Sequence, residues 1–513
     1  MIGRRVPPCL CGVTVRNREY ASAVDVSGRR TYLPTPANVK SEALEAEETS
    51  SPLERPARHS AFSSSSVLPG VLALGLLIRA IVLPLPGTRD MGVWKIWTYN
   101  GAIQSPATLY GVGGSPPVRR VLTYHGATTT VDYPPLSLFE LAAVGRAYRI
   151  IQPDLADTPA LGMAIKIPLV LYEISFLFVA FFIVQRAAGR AAAQWTVFAY
   201  WLNPAPLFDA SILAYLDPLF VLPLTASLFA AVGGWSFAAG ALFAMAVLTK
   251  AQAVVVLPAF ALALWNGGTA RARNRRLAVG GLGGVLSAAL IVSPVVAAGA
   301  AANMLSALQS LTRHDMLSAN ACNLWWIVGY ILRAWYSIGS MGVWGAFTMP
   351  TKILAISRTL ELGYPNPRAF GAVLALSTMC WALWTARHAR DPFLIAAVAA
   401  FLVHTYATLS AQVHENHLFA AVPLLVIAGA GRPGLRPLMW TVSAIFALNL
   451  NLFYGISEYI QGYAFPRTLT IVDATVVLAL VNCATLVWHA GVLRRECALP
   501  ATSLKYASHE GVL

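Results

Sequence analysis

Residues 161–185 read LGMAIKIPLVLYEISFLFVAFFIVQ. A helix needs about 20 mostly apolar residues to cross the hydrocarbon core of a bilayer, and this stretch supplies them. The run stops at Arg186, with Arg190 just beyond. Basic residues collect in the cytoplasmic loops of membrane proteins, so this end belongs inside. Comparable runs recur along most of the chain. Of 513 residues, 57% are hydrophobic and only 12% charged, and the mean hydropathy is +0.60. A soluble globular domain carries about twice that charged fraction. The fold class is therefore all-α: a polytopic integral membrane protein.

The remaining charge agrees. A net charge of +14 would suit a nucleic-acid binder. Yet the arginines sit in short loops between apolar runs, as the positive-inside bias requires, so no nucleic-acid partner is expected. The cysteines, Cys9, Cys11, Cys322, Cys380, Cys483 and Cys497, show no metal-ligand or disulfide spacing. Residues 1–66 are rich in Ser, Pro, Arg and Glu and lack an apolar period. They read as a disordered cytoplasmic tail, and 496–513 is expected to be a cytoplasmic tail. Glu42, Glu45, Glu47 and Glu48 argue against a transit peptide.

Outward from 161–185, spans are expected at 67–85, 191–207, 217–232, 236–250, 251–265, 277–299, 369–387, 392–410, 417–430, 437–454 and 469–493. That makes about twelve spans, within a range of about 11–14, with both termini inside. It places Arg271 to Arg276, Arg387, Arg390, Arg432, Arg436, Arg494 and Arg495 on the cytoplasmic side. Reading 236–265 as one helix instead of two broken at Lys250 would invert everything downstream. The chain divides into a module over 67–300 with an outer loop at 86–160, an outer segment at 301–368, and a C-terminal transmembrane module at 369–495. Two mixed-polarity stretches in the first outer loop, 92–104 and 136–151, read as interfacial helices. A re-entrant helix is expected around Asn323-Leu324-Trp325-Trp326.

With this topology, several polar clusters fall on the outer face. They are Arg89-Asp90, Asp132-Tyr133-Pro134-Pro135-Leu136, the stretch from Asp209 to Asp217, and His414-Glu415-Asn416-His417. Lys250 sits between two apolar halves near the same face. Each has a bland reading. Asp90 could simply pair with Arg89, Asp132 could cap the next helix, and Asp209 and Asp217 beside Pro could form turns. Lys250 could snorkel to the interface, and the histidines could end helices there. Jointly, those readings leave the shared face unexplained. Ionisable groups at membrane depth are costly and default to function or to mutual pairing. The Pro-Pro step also fixes the backbone, which holds Asp132 and Tyr133 extended before the helix that follows.

These segments resemble the polytopic glycosyltransferases of the type C fold, which take sugars from polyprenyl-phosphate or dolichyl-phosphate carriers. The likeness is greatest to the dolichyl-phosphate-glucose glucosyltransferases and their bacterial relatives. It is carried by Asp132-Tyr133-Pro134-Pro135-Leu136, Trp201-Leu202-Asn203-Pro204, Leu248-Thr249-Lys250-Ala251-Gln252, Asn320-Ala321-Cys322-Asn323-Leu324-Trp325 and Gln412-Val413-His414-Glu415-Asn416-His417, in the family's order. The chain departs from the pattern after Asn203-Pro204, where the eukaryotic enzymes have histidines, and at Asn416-His417. The resemblance implies transfer of a hexose, mannose or glucose, from a polyprenyl-phosphate donor to a lipid-linked or cell-envelope glycan acceptor. It implies that Asp90, just after the first span, is the catalytic base.

The chemistry then asks for more. A lipid-phosphate leaving group needs cations in a water-poor site, and Lys250, His414 and His417 are the candidates. Asp132 and Tyr133 would organise the loop on the acceptor side. Glu415, Arg313, His314 and Asp217 stand behind these. A monophosphate leaving group requires no metal; a divalent ion between Asp90 and Asp132 is the option suggested by type C oligosaccharyltransferases. A transporter or flippase for a lipid-linked sugar is the competing class, but no internal repeat is evident. High Ala, Gly and Arg usage with short loops favours a bacterial inner membrane over the endoplasmic reticulum.

Overall fold

The structure is a computed structural model that describes residues 67–114, 117–266, 269–460, 464–467 and 471–499. The expected N-terminal tail, with Cys9 and Cys11, lies outside the described residues, as does the chain beyond residue 499. The first helix, α1 (Val67–Val82), is apolar except for Arg79. The loop that follows carries α2 (Asp90–Ile103), whose buried residues include Met91, Trp94, Trp97, Thr98, Gly101 and Ala102. These positions recur three and four apart and so share one face. A small hairpin comes next: β1 (Leu122–Tyr124) pairs antiparallel with β2 (Ala127–Thr129). His125 and Gly126 join them at φ +45° and +80°, the left-handed pair a two-residue hairpin loop requires.

Pro135 opens α3 (Pro135–Ile151), where its missing N–H is no loss. The N-cap is Pro134, without a side-chain cap, so Asp132 is not the cap of this helix. Helices α2 and α3 cross closely because Gly145 lies on the Thr98 carbonyl: a Cβ there would stand 2.5 Å from the oxygen. Both helices thus form at the residues where the sequence placed them.

Then come α4 (Pro159–Ala188) and α5 (Arg190–Trp201). A short turn, α6 (Pro204–Pro206), passes into a wide π-helical turn over Leu207–Ile212. Helices α7 (Asp217–Val232) and α8 (Ser236–Thr249) follow. Lys250 is extended, at φ −145° and ψ 117°, and breaks the helix before a 3-10 turn leads into α9 (Leu257–Trp265). Helix α10 (Ala270–Ala297) starts earlier than expected. The arginines at 271–276 are its first turns, not a loop, because the Thr269 side chain caps the helix by accepting from the Ala272 N–H.

The outer segment holds α11 (Ala301–Ser310), β3 (Ser318–Ala319), α12 (Leu324–Thr348) and α13 (Ile356–Glu361). The stretch at 323–326 is therefore the start of a 25-residue helix, bent at Gly342, where φ is +68°. The C-terminal part is α14 (Pro367–Thr385), α15 (Pro392–Leu409), β4 (Val413–His414), α16 (Ala421–Gly431), α17 (Arg436–Tyr454) and α18 (Ala474–Ala498). Helix α18 runs into the expected C-terminal tail. Five segments, Pro159–Ala188, Arg271–Ala297, Pro392–Leu409, Pro433–Tyr454 and Ala474–Ala498, are long and apolar enough to cross a membrane. Shorter apolar helices occupy the expected spans at 67–85, 217–232, 236–250, 251–265 and 417–430.

Several basic turns between helices come together. Arg276 donates to the Ala231 carbonyl, and Asn266 donates to that of Ala389 at 2.5 Å. Arg432 pairs with Asp391 at 2.8 Å and Glu496 at 3.2 Å, and Arg436 stacks over Trp195. These contacts gather the arginine-bearing turns at one end. Helices α8 and α9 both have that end in common, since Gly280 of α10 touches Ser236 and Leu264. So 236–265 is a hairpin with Lys250 at its far tip. Buried Arg79 finds Glu173 at 2.9 Å, donates to the Trp201 carbonyl at 2.8 Å and lies 3.6 Å over that ring. It faces protein, as a charge inside a span must.

Candidate active site

The ends of the helices away from the arginines surround a cavity of about 690 Å³. Its wall includes Asp90, Asp132, Tyr133, Lys250, His314, His414, Glu415 and His417. Arg313 is exposed and is not on that wall.

One wall comes from the outer loop. Asp90 is the first residue of α2, and the preceding Arg89 N–H donates to the Glu458 carboxylate at 2.7 Å. Tyr133 stands edge-on to Trp94 and Trp97, at 5.1 and 5.6 Å between ring centres. The Tyr110 hydroxyl donates to the Tyr133 carbonyl at 2.7 Å. The stiff Asp132-Tyr133-Pro134-Pro135 step is thus pinned on α2 by its aromatic ring, which leaves Asp132 to face the cavity.

The opposite wall brings distant motifs together. Lys250 Nζ lies 2.6 Å from Asp217 Oδ1, and the Asn416 amide donates to the other carboxylate oxygen at 2.9 Å. Both charges are buried. Lys250, the expected phosphate-binding cation, thus lines the cavity already paired with Asp217. Asp217 is correspondingly more than a turn former. Asp209 is fully buried and does not line the cavity.

The histidines are assembled by a short parallel pairing, Ser318 with Val413 and Ala319 with His414. Asn320 and Gln412 flank it at φ +56° and +65°. Left-handed backbone at a non-glycine residue costs roughly 1–3 kcal/mol and persists where surroundings enforce it. Here Asn449 donates to the Asn320 carbonyl at 2.8 Å, and the Gln412 N–H donates to the Leu317 carbonyl at 3.0 Å. The result places His314 and His414 at 5.6 Å and His414 and His417 at 5.4 Å between ring centres. His417 Nδ1 lies 3.3 Å from the Tyr406 hydroxyl.

Burial, helped by the charge of Glu415, pushes the Asp90 carboxyl up to about 7. Burial also raises Asp132, against the pull of His314, and raises Glu415, which accepts from the Tyr215 hydroxyl at 2.5 Å. Burial and its histidine neighbour bring His414 down to about 4. Burial thus favours the neutral form of the His414 imidazole. A neutral imidazole still offers one N–H, and an arriving anion favours its charged form. Among the described residues no three His, Cys, Asp or Glu side chains converge as metal ligands.

No protein-family model matches the chain, and none of the curated proteins matches it in sequence. Among solved structures it is similar to ArnT from Cupriavidus metallidurans bound to undecaprenyl phosphate, at 16% identity and a TM-score of 0.43, covering 85% of this chain and 78% of that one. It is also similar to the archaeal oligosaccharyltransferase AglB from Archaeoglobus fulgidus in complex with an inhibitory peptide and a dolichol-phosphate, at 13% identity and a TM-score of 0.36. That match covers 85% of this chain and 57% of AglB. At scores this low, the reading of the site rests on the chain's own residues.

Some of those residues carried no role in the sequence. Tyr215 and Asn320 lie in conspicuous segments, but nothing marks them as partners of Glu415 and Tyr454. The Asn320 amide donates to the Tyr454 hydroxyl at 3.1 Å. Tyr454 looks like any aromatic residue closing an apolar run, and Glu458 like any loop acid.

Proposed function

We propose that this integral membrane protein is a type C glycosyltransferase. In this reading it moves a hexose, mannose or glucose, from a polyprenyl-phosphate carrier to a lipid-linked or cell-envelope glycan acceptor, in a bacterial inner membrane. One observation carries the proposal: a single cavity holds a carboxylate poised at about 7 and a cluster of three histidines. A general base works best with a pKa near the operating pH.

The acceptor hydroxyl attacks the anomeric carbon and gives its proton to Asp90. The bond from that carbon to the phosphate oxygen breaks, and the lipid phosphate leaves with the electron pair. His314, His414 and His417 donate to it, and the growing anionic charge draws protons onto them. The Lys250–Asp217 pair, held by Asn416, fixes the floor beneath. Asp132 and the clamped Tyr133 organise the acceptor side. One displacement inverts the anomeric configuration.

The test is incubation of purified protein with a panel of polyprenyl-phosphate hexoses and acceptor lipids, scoring free polyprenyl phosphate. Release with mannose or glucose donor supports the proposal. Movement of intact labelled donor between leaflets, with no release from any donor, would replace it with the flippase reading.

A further inference from the structure

At the arginine end lies a second cavity, of about 900 Å³, between the turn joining α7 to α8 and the start of α10. Arg271, Arg275 and Arg276 line it together with Trp235 and Phe237, and no acidic side chain does. Arg271 and Arg275, one helical turn apart, are exposed and make no ion pair, hydrogen bond or ring contact with any described residue. The buried Nε of Arg276 also has no acceptor. By contrast, Arg432 and Arg436 at the same end are committed to Asp391 with Glu496 and to Trp195.

The surroundings are apolar. Trp235 is 71% exposed. Along α10 the cavity continues into a bare strip of Leu282, Val285, Leu286 and Leu290, each more than half exposed. The floor is rigid, because Gly240 of α8 packs directly on the Gly280 carbonyl of α10, where a Cβ would stand 1.8 Å away. A preformed basic pocket thus opens onto an apolar strip of a membrane-crossing helix. That is complementary to one amphiphile, with an anionic head and a hydrocarbon tail. Basic pockets between transmembrane helices bind lipid head groups in this manner.

We propose that this groove binds an anionic phospholipid, its head-group phosphate on Arg271 and Arg275 and one acyl chain along Leu282, Leu286 and Leu290. The site is separate from the candidate active site and does not depend on its chemistry.

The experiment titrates the full chain, purified in detergent, with dioleoylphosphatidylglycerol. Bound lipid is read by native mass spectrometry and protection by thermal melting. Phosphatidylglycerol binds and protects; phosphatidylcholine does not. Arg271→Gln weakens binding about fivefold and Arg271→Gln/Arg275→Gln about thirtyfold, following the usual contribution of a basic residue near anionic lipid. Both side chains are exposed, so the variants fold, which melting without lipid checks. Arg494→Gln/Arg495→Gln, removing exposed arginines from the C-terminal helix, binds like the native chain. Equal affinity in the double variant, or equal protection by phosphatidylcholine, overturns the proposal. So does equal protection by water-soluble glycerol phosphate, which would assign the site to free phosphate.

Discussion

Asp90 is worth attention because its neighbours, not its position alone, set its chemistry. Its carboxyl stands at about 7, raised by burial and then by Glu415. The reactive form of a base is deprotonated, so transfer rises as pH passes through about 7 from below. Glu415→Gln removes a repulsive charge, so Asp90 ionises more easily and the acidic limb of the rate profile moves to lower pH. A limb that stays in place would remove Glu415 as its tuner. Lys250 gives a second prediction. Lys250→Met strands the buried Asp217 carboxylate, and breaking a buried pair costs roughly 3–5 kcal/mol. Lys250→Met/Asp217→Asn regains most of that stability in detergent melting, which separates a structural loss from a loss of donor binding. Asp90, Lys250 and His414 were legible in the sequence as polar residues on a costly face. The burial that raises Asp90 and lowers His414 was not, because segments far apart in the chain create it.

At the scale of elements, the helices followed from apolar runs and loop arginines, and the interfacial pair α2 and α3 from mixed polarity in the first outer loop. The pairing of β3 with β4 did not follow. Each strand has two residues, too few to show a period, and the register is set by Asn320 and Gln412 in backbone conformations that their residue types do not announce. The start of α10 was missed for a similar reason: a run of arginines reads as a loop until Thr269 is seen to cap it. Close helix contact yields a prediction here. Gly240→Leu drives a side chain into the Gly280 carbonyl and forces α8 from α10. Overpacking of this kind costs roughly 1–3 kcal/mol or more, so melting temperature falls. Gly92→Ala, with open space around its Cβ, leaves it nearly unchanged.

Across the described residues, the turns bearing Arg276, Arg432 and Arg436 meet at one end of the helices, and Asp90, Asp132, Glu415 and three histidines meet around a cavity at the other. The sorting was visible in the sequence once 236–265 was taken as two helices, and the break at Lys250 supplies the physical reason. The orientation predicts accessibility: with all six native cysteines replaced by Ala, a cysteine at Arg119 reacts with an impermeant maleimide in intact cells, and one at Asn274 reacts only after permeabilisation. The reverse pattern would turn the molecule over. The catalytic account itself depends most directly on one carboxylate. Asp90→Asn, folded and with native melting behaviour, is incubated with a polyprenyl-phosphate hexose and acceptor, and released polyprenyl phosphate is measured. The account predicts that release falls at least about a hundredfold, as loss of a positioned base does; release at the native rate would contradict it.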